Sequence, residues 1–296
     1  MRLRSCLAVA AAWLVIPASL AMAQSANPPA ASAPATASPA PISPAPISPA
    51  QISPDQGAPA PTPPAPRSLE VLRGEIDRID AGLLALFNQR ATIVAEVGAS
   101  KGVSGGPVFR PGRQAALLRK LLASNPGPQT ADSLVRIWTA VIAGSILQQK
   151  PDFTVGVAGD DDAGLTAAQA YFGIPVRPLA LPEHALSTLS EGRVDAVALP
   201  PSGEWWRVLA PDMRIIAAAP LLRAPTAPIA MLIVARRAVD PSGNDLTLVR
   251  MPEGSTDGAV IARAGGDMLV ALGPNMPKPA GAEVLGLVAV PLSAAQ

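Results

Sequence analysis

From Leu69 onward the apolar positions fall at Leu69, Leu72, Ile76, Ile79, Leu83, Leu86, Ile93 and Val97, in alternating steps of three and four. This is the seam of an amphipathic helix with a heptad-like repeat. It predicts a helix over residues 68–101, free of internal proline and longer than is usual in a compact unit, so it must find partners along its length. Two positions break the pattern. Between Leu86 and Ile93 the seam calls for an apolar side chain and meets Arg90, and four residues past Val97 it meets Lys101. At about 100° per residue these cations, eleven positions apart, lie within roughly 20° of one another on the face expected to be buried.

The stretch "GVSGGP" then breaks the chain with Gly102, Gly105, Gly106 and Pro107. A second helix follows in "VFRPGRQAALLRKLLASN", with Ala115, Leu118, Leu121 and Leu122 facing inward and Arg110 and Arg113 near its first turn. A third, "ADSLVRIWTAVIAGSILQQK", has a seam of Leu134, Ile137/Trp138 and Val141 that runs on into Ser145 and Gln149, four apart on one face. Arg90, Lys101, Arg113, Ser145 and Gln149 are thereby directed toward what should be a dry interior. An unpaired buried charge costs several kcal/mol, so the group needs a counter-charge. Internal salt bridges to Glu75, Asp77, Asp80 or Glu96 could supply it; so could an anionic ligand, and the excess of cations over inward-facing acids favours the ligand.

Residues 69–150 resemble the all-helical chorismate mutases, in "LRGEIDRIDAGLLALFNQRATIVAEVGASKG", "PVFRPGRQAALLRKLL" and "RIWTAVIAGSILQQ". The resemblance implies a three-helix domain of an interlaced dimer and the Claisen rearrangement of chorismate to prephenate, with no cofactor and no metal. It assigns Arg73, Arg90, Lys101, Arg113, Ser145 and Gln149 to the pocket. Arg73 and Arg90 would clamp substrate carboxylates, supported by Arg113, while Lys101 and Gln149 would meet the charge growing on the ether oxygen. The family's glutamate at the start of the second helix is replaced by Gln114, which accepts a hydrogen bond without carrying charge. Arg73 lies seventeen residues ahead of Arg90, about 260° around the helix, and so cannot share its face within one chain. A homodimer resolves this, because in the family that arginine serves the partner's pocket.

After residue 150 the period changes. A strand at 153–157, a helix ending near Phe172 and another short strand are expected, then strands in "VDAVALP", "MRIIAAAP", "IAMLIVARR" and "AEVLGLVAVPL". This predicts a smaller α/β domain over 151–296. It faintly resembles prephenate dehydratase, but where that family has a Thr-Arg-Phe signature this chain reads Ile229-Ala230-Met231, with Thr226 three residues too early. No dehydratase activity is expected, leaving a binding, dimer-supporting or vestigial role.

Composition narrows the picture. Charged residues make up 15% of the 296 and net charge is +1, with no basic run interleaved with aromatics, so a nucleic-acid partner is not expected. Arg2 and Arg4 precede an apolar stretch ending in Ala21-Met22-Ala23, read as a signal peptide cut after Ala23, which predicts a periplasmic or secreted protein with no stable membrane anchor. The single cysteine, Cys6, lies within it. Residues 24–67, rich in proline and alanine, read as a disordered linker. His184, the only histidine, has no second member for a metal site and is placed on a helix surface; the acids of "GDDDAG" read as solvent-facing caps, and Trp205 and Trp206 as packing residues. Two functions stay open: a chorismate mutase, and a non-catalytic or weakly active protein that binds or senses a small dicarboxylate.

Overall fold

The computed structural model describes residues 67–104, 106–159, 162–179, 182–254 and 258–293. The segments read as a signal peptide and a linker, up to Pro66, and Asp160 and Asp161 of the acidic stretch lie outside them. Helix α1 (Leu69–Ser104) matches the apolar seam and is followed by α2 (Pro111–Ala123) and α3 (Ala131–Gln149). Proline opens α2, where its missing N–H costs nothing. Thr130 caps α3, its hydroxyl accepting from Ser133 N at 3.2 Å.

The seam of α1 is only partly covered. At about 1.5 Å per residue α1 is ~54 Å long, whereas α3, the helix it packs against, is ~28 Å. Leu69, Ile76, Ile79, Leu83 and Leu86 are therefore exposed in the single chain, Leu86 at 62%. Ile93 and Val97, which lie alongside α3, are exposed as well because they line an open cleft. The seam expected on α3 is also rotated. Leu134, Ala143 and Ile146 are buried, while Ile137 is exposed and Trp138 and Val141 are half-buried. The cause is that α3 is gripped from two sides, by α1 on one and by α2 and a later helix on the other.

The remainder contains β1 (Val155–Ala158), α4 (Asp162–Phe172), β2 (Arg177–Leu179), α5 (Pro182–Ser190) and β3 (Ala196–Leu199), in which α4 and α5 connect parallel strands. It continues with β4 (Arg214–Ala219), β5 (Met231–Ala235), β6 (Asp245–Pro252), β7 (Ala259–Ala264), β8 (Asp267–Leu272) and β9 (Glu283–Ala289). The sheet order is β2-β1-β3-β5-β4-β9-β6-β8-β7. Only its first part is α/β; β6, β7 and β8 form antiparallel pairs without helices between them. This strand-rich part is not smaller than the helical part, as the sequence had suggested, but longer.

Nor are the two separate bodies, since Pro66–Gln296 form one compact unit. Alternation along the strands explains why. Val155 and Val157, Ala196 and Ala198, and Met231 and Ile233 share a core with Leu118, Leu122, Leu134 and Ile146 of the helices. Their neighbours Val197, Leu199, Leu232 and Val234 enter a second core on the opposite face, around Trp205 and Trp206. Phe109, just ahead of α2, packs its ring against Phe153 and Phe172 with centroids 5.8 and 5.1 Å away. The start of α2 is thus pinned to the approach to β1 and the end of α4.

Candidate functional site

A cleft of about 360 Å³ opens between α1, α2 and α3. Its floor is apolar, formed by Ile93, Val97, Val108, Leu117, Ile142 and Ile146. Its polar groups are Arg90, Lys101, Arg113, Gln114, Ser145 and Gln149, together with Gln89 and Arg110. Six of the seven residues picked out from sequence therefore converge. The interior expected to be dry is, however, an open cleft: Arg113 is exposed, Arg90, Lys101, Ser145 and Gln149 are half-buried, and only Gln114 is buried. The seventh, Arg73, is exposed and does not line this chain's cleft.

The polar groups hold one another in place. Arg90 Nη1 donates to Ser145 Oγ, and that hydroxyl donates to Val141 O at 2.8 Å. Lys101 Nζ donates to Pro107 O at 2.9 Å and to Gln149 Oε1 at 3.2 Å. Gln149 Nε2 donates to Ser145 O at 2.9 Å, which leaves its second N–H for something else. Gly98 lets α3 come this close: a Cβ there would stand 3.1 Å from Gln149 Cγ.

None of the acids considered as neutralising partners reaches the cleft. Glu75 pairs with Arg67 at 2.6 Å, and no ion pair links Arg90, Lys101 or Arg113 to Asp77, Asp80 or Glu96. Burial, then the neighbouring Arg113 charge, lower the Arg90 pKa. Burial likewise pushes Lys101 below the usual lysine range, and Arg110, Arg113 and Arg237 push the same way against an opposing pull from Asp240. The cleft is an apolar-floored hollow with excess positive charge, suited to an anion of small size.

Gln114 is buried, and its Nε2 faces the backbone oxygen of Tyr171 at 3.5 Å, the long limit of a hydrogen bond. That oxygen belongs to the last turn of α4, where carbonyls lack intrahelical donors. An amide can donate to it, whereas an ionised carboxylate cannot.

Asp240, from the segment between β5 and β6, was not picked out from sequence although it stands in the turn-rich stretch "VDPSGND". Its Oδ1 accepts from Arg110 Nη2 at 2.5 Å and its Oδ2 from Arg113 N at 3.1 Å. Burial alone would raise its pKa. The hydrogen bonds from Arg110 and Arg113 N–H, with the Arg110 and Arg237 charges, outweigh that and hold the carboxyl below the usual range. Arg110, whose role the sequence left undecided, is thus this carboxylate's partner.

Residues 72–150 match the family chorismate mutase type II. The chain is also similar to bifunctional chorismate mutase/prephenate dehydratases. It is 33% identical over 111 residues to that of Neisseria gonorrhoeae, covering 37% of this chain and 30% of that protein. It is 27% identical over 139 residues to that of Pseudomonas aeruginosa, covering 45% and 38%. With that of Aquifex aeolicus it shares 33% over 86 residues, covering 28% and 24%. The matches thus span well under half the length of these relatives. The chorismate mutase type II segment begins within α1 and ends just past α3, so every cleft side chain named above lies inside it. Outside it, Thr226 sits in an exposed turn ahead of β5, and Ile229 and Ala230 are half-buried.

Proposed function

We propose that the cleft binds chorismate and rearranges it to prephenate. The observation carrying this reading is the set of cations, Arg90, Lys101 and Arg113, that face one hollow without an acid between them. Chorismate carries two carboxylates that must be gathered into a compact arrangement, and guanidinium forks suit that. The reaction is intramolecular and asks for no proton transfer, so positioning and electrostatics do the work. As the ether bond breaks, its oxygen gains negative charge. Lys101 and the free N–H of Gln149 favour that state over the ground state.

The exposed apolar seam of α1 supports a homodimer, in which Arg73 of one subunit completes the cleft of the other. The strand-rich part supports the helices and carries no dehydratase activity, and the N-terminal segment directs export. Purified protein is expected to remove the ultraviolet absorbance of chorismate, with Arg90→Ala abolishing the loss. Absorbance unchanged by the wild-type chain refutes the reading. A second reading, a binding or sensing protein for a small dicarboxylate, is favoured by Gln114, which brings no charge and is turned toward Tyr171. It predicts chorismate binding by calorimetry without turnover.

A further inference from the structure

Helix α2 starts without a cap of its own. Its N-cap residue is Arg110, whose side chain makes no capping bond, and Pro111 and Gly112 follow with no side-chain acceptor. The acceptor comes from 127 residues further along the chain, where Asp240 Oδ2 takes the Arg113 N–H. The carboxylate is 5% exposed, and its other oxygen receives both Nε and Nη2 of Arg110, at 3.1 and 2.5 Å. Gly112 permits the approach, since a Cβ there would fall 1.8 Å from Asp240 O. The segment carrying Asp240 is braced. Asp245 accepts from Ser242 N at 2.9 Å and from its hydroxyl at 2.6 Å, and Arg119 of α2 reaches Ser242 O and Asn244 O at 3.3 and 3.4 Å. Arg237 donates to Phe109 O on the other side of the joint.

We propose that Asp240 is a positioning residue for the cleft: by capping α2 from the strand-rich part it fixes where Arg113 and Gln114 stand. Asp240 does not line the cleft, so it acts through the helix terminus rather than on the substrate. The proposal rests on the mutase reading, and its experiment separates the two.

In the full chain, Asp240→Ala is expected to lower kcat/KM for chorismate about tenfold, mainly through KM, the scale of a lost cap. Asp240→Asn keeps an acceptor for the Arg113 N–H; its amide nitrogen meets the Arg110 donors, which can turn to solvent because that side chain is 44% exposed, and the variant is expected within about twofold of wild type. Asp240→Glu keeps the charge beside Arg110 but misplaces the acceptor by one methylene, and is expected to lose about fivefold. Hydrogen exchange at the Arg113 amide should quicken at least about tenfold in Asp240→Ala and stay unchanged in Asp240→Asn. Full activity in Asp240→Ala, or Asp240→Glu performing as well as Asp240→Asn, overturns the proposal. The Asn and Glu pair decides if the alanine variant does not fold. A wild-type chain with no turnover refutes the mutase reading instead, and the Arg113 amide then decides the cap.

Discussion

Replacing Arg90 by leucine should move activity and stability in opposite directions. Among the described residues the Arg90 guanidinium has one hydrogen-bond partner, Ser145 Oγ, whose own proton already goes to Val141 O. Its loss removes one hydrogen bond, worth about 1 kcal/mol net. Against that, Arg90→Leu ends the repulsion with Arg113 and the burial of an unpaired cation, and adds apolar surface beside Ile93 and Ile142. The sum is expected between zero and about 1 kcal/mol in favour of the variant, a Tm higher by up to roughly 4 °C. On the proposed function the same residue would supply chorismate with two charge-assisted hydrogen bonds of about 1.5–3 kcal/mol each. Losing both lowers kcat/KM by ~10² to 10⁴. A thermal melt and the chorismate absorbance assay on one preparation test this. A Tm lower by more than about 5 °C, with kcat/KM within tenfold of wild type, would make Arg90 a structural cation and refute the argument.

Gln114→Glu sets a carboxylate against Tyr171 O and should destabilise by about 1–3 kcal/mol at neutral pH, where it has no proton to donate. Burial raises the new carboxyl's pKa, so the penalty should fade as pH falls through that raised value, read as melts at pH 7 and 5. In the proposed reaction Lys101 must be protonated to act, and its pKa is lowered by burial. Activity should therefore be lost as pH rises through a value below the ordinary lysine pKa of about 10.4, and Lys101→Arg should push this alkaline limb of kcat/KM upward. Leu83→Glu on the exposed seam of α1 should convert a dimer to a monomer in analytical ultracentrifugation with the helical circular dichroism signal retained; a dimer that survives places the interface elsewhere.

The helical cleft was legible because its exceptions stand out against a regular background. With Leu86, Ile93 and Val97 setting the seam, Arg90 and Lys101 could be placed before any coordinates, and α1 ends within three residues of the expected boundary. Gln114 was legible as a departure but not its cause, because Tyr171 O comes from a helix whose docking no local pattern encodes. The same holds for Asp240, whose two partners lie 127 and 130 residues away. In the sheet, β1 to β5 and β9 were found and β6, β7 and β8 were not: Thr247, Arg250 and Arg263 interrupt the apolar runs of β6 and β7, while the apolar run Met268–Leu272 of β8 was open to reading and passed over. Gly265 and Gly266, both left-handed at φ 54° and 80°, form the two-residue turn of the β7–β8 hairpin, a signal present in the sequence and left unread.

The core shared between α2, α3 and β1, β3 and β5 bears on how this protein can be divided. A fragment ending at Lys150 would hold every cleft residue named here, yet it would bare Phe109, Leu118, Leu122 and Ile146 to water. At about 1.5–3 kcal/mol for each large apolar side chain, the deficit is ~6–12 kcal/mol, comparable with the whole stability of an ordinary domain. Excision would thus yield helices unable to hold the cleft together, and replacing these three helices by a bundle that is polar on this face would leave the sheet with an uncovered wall.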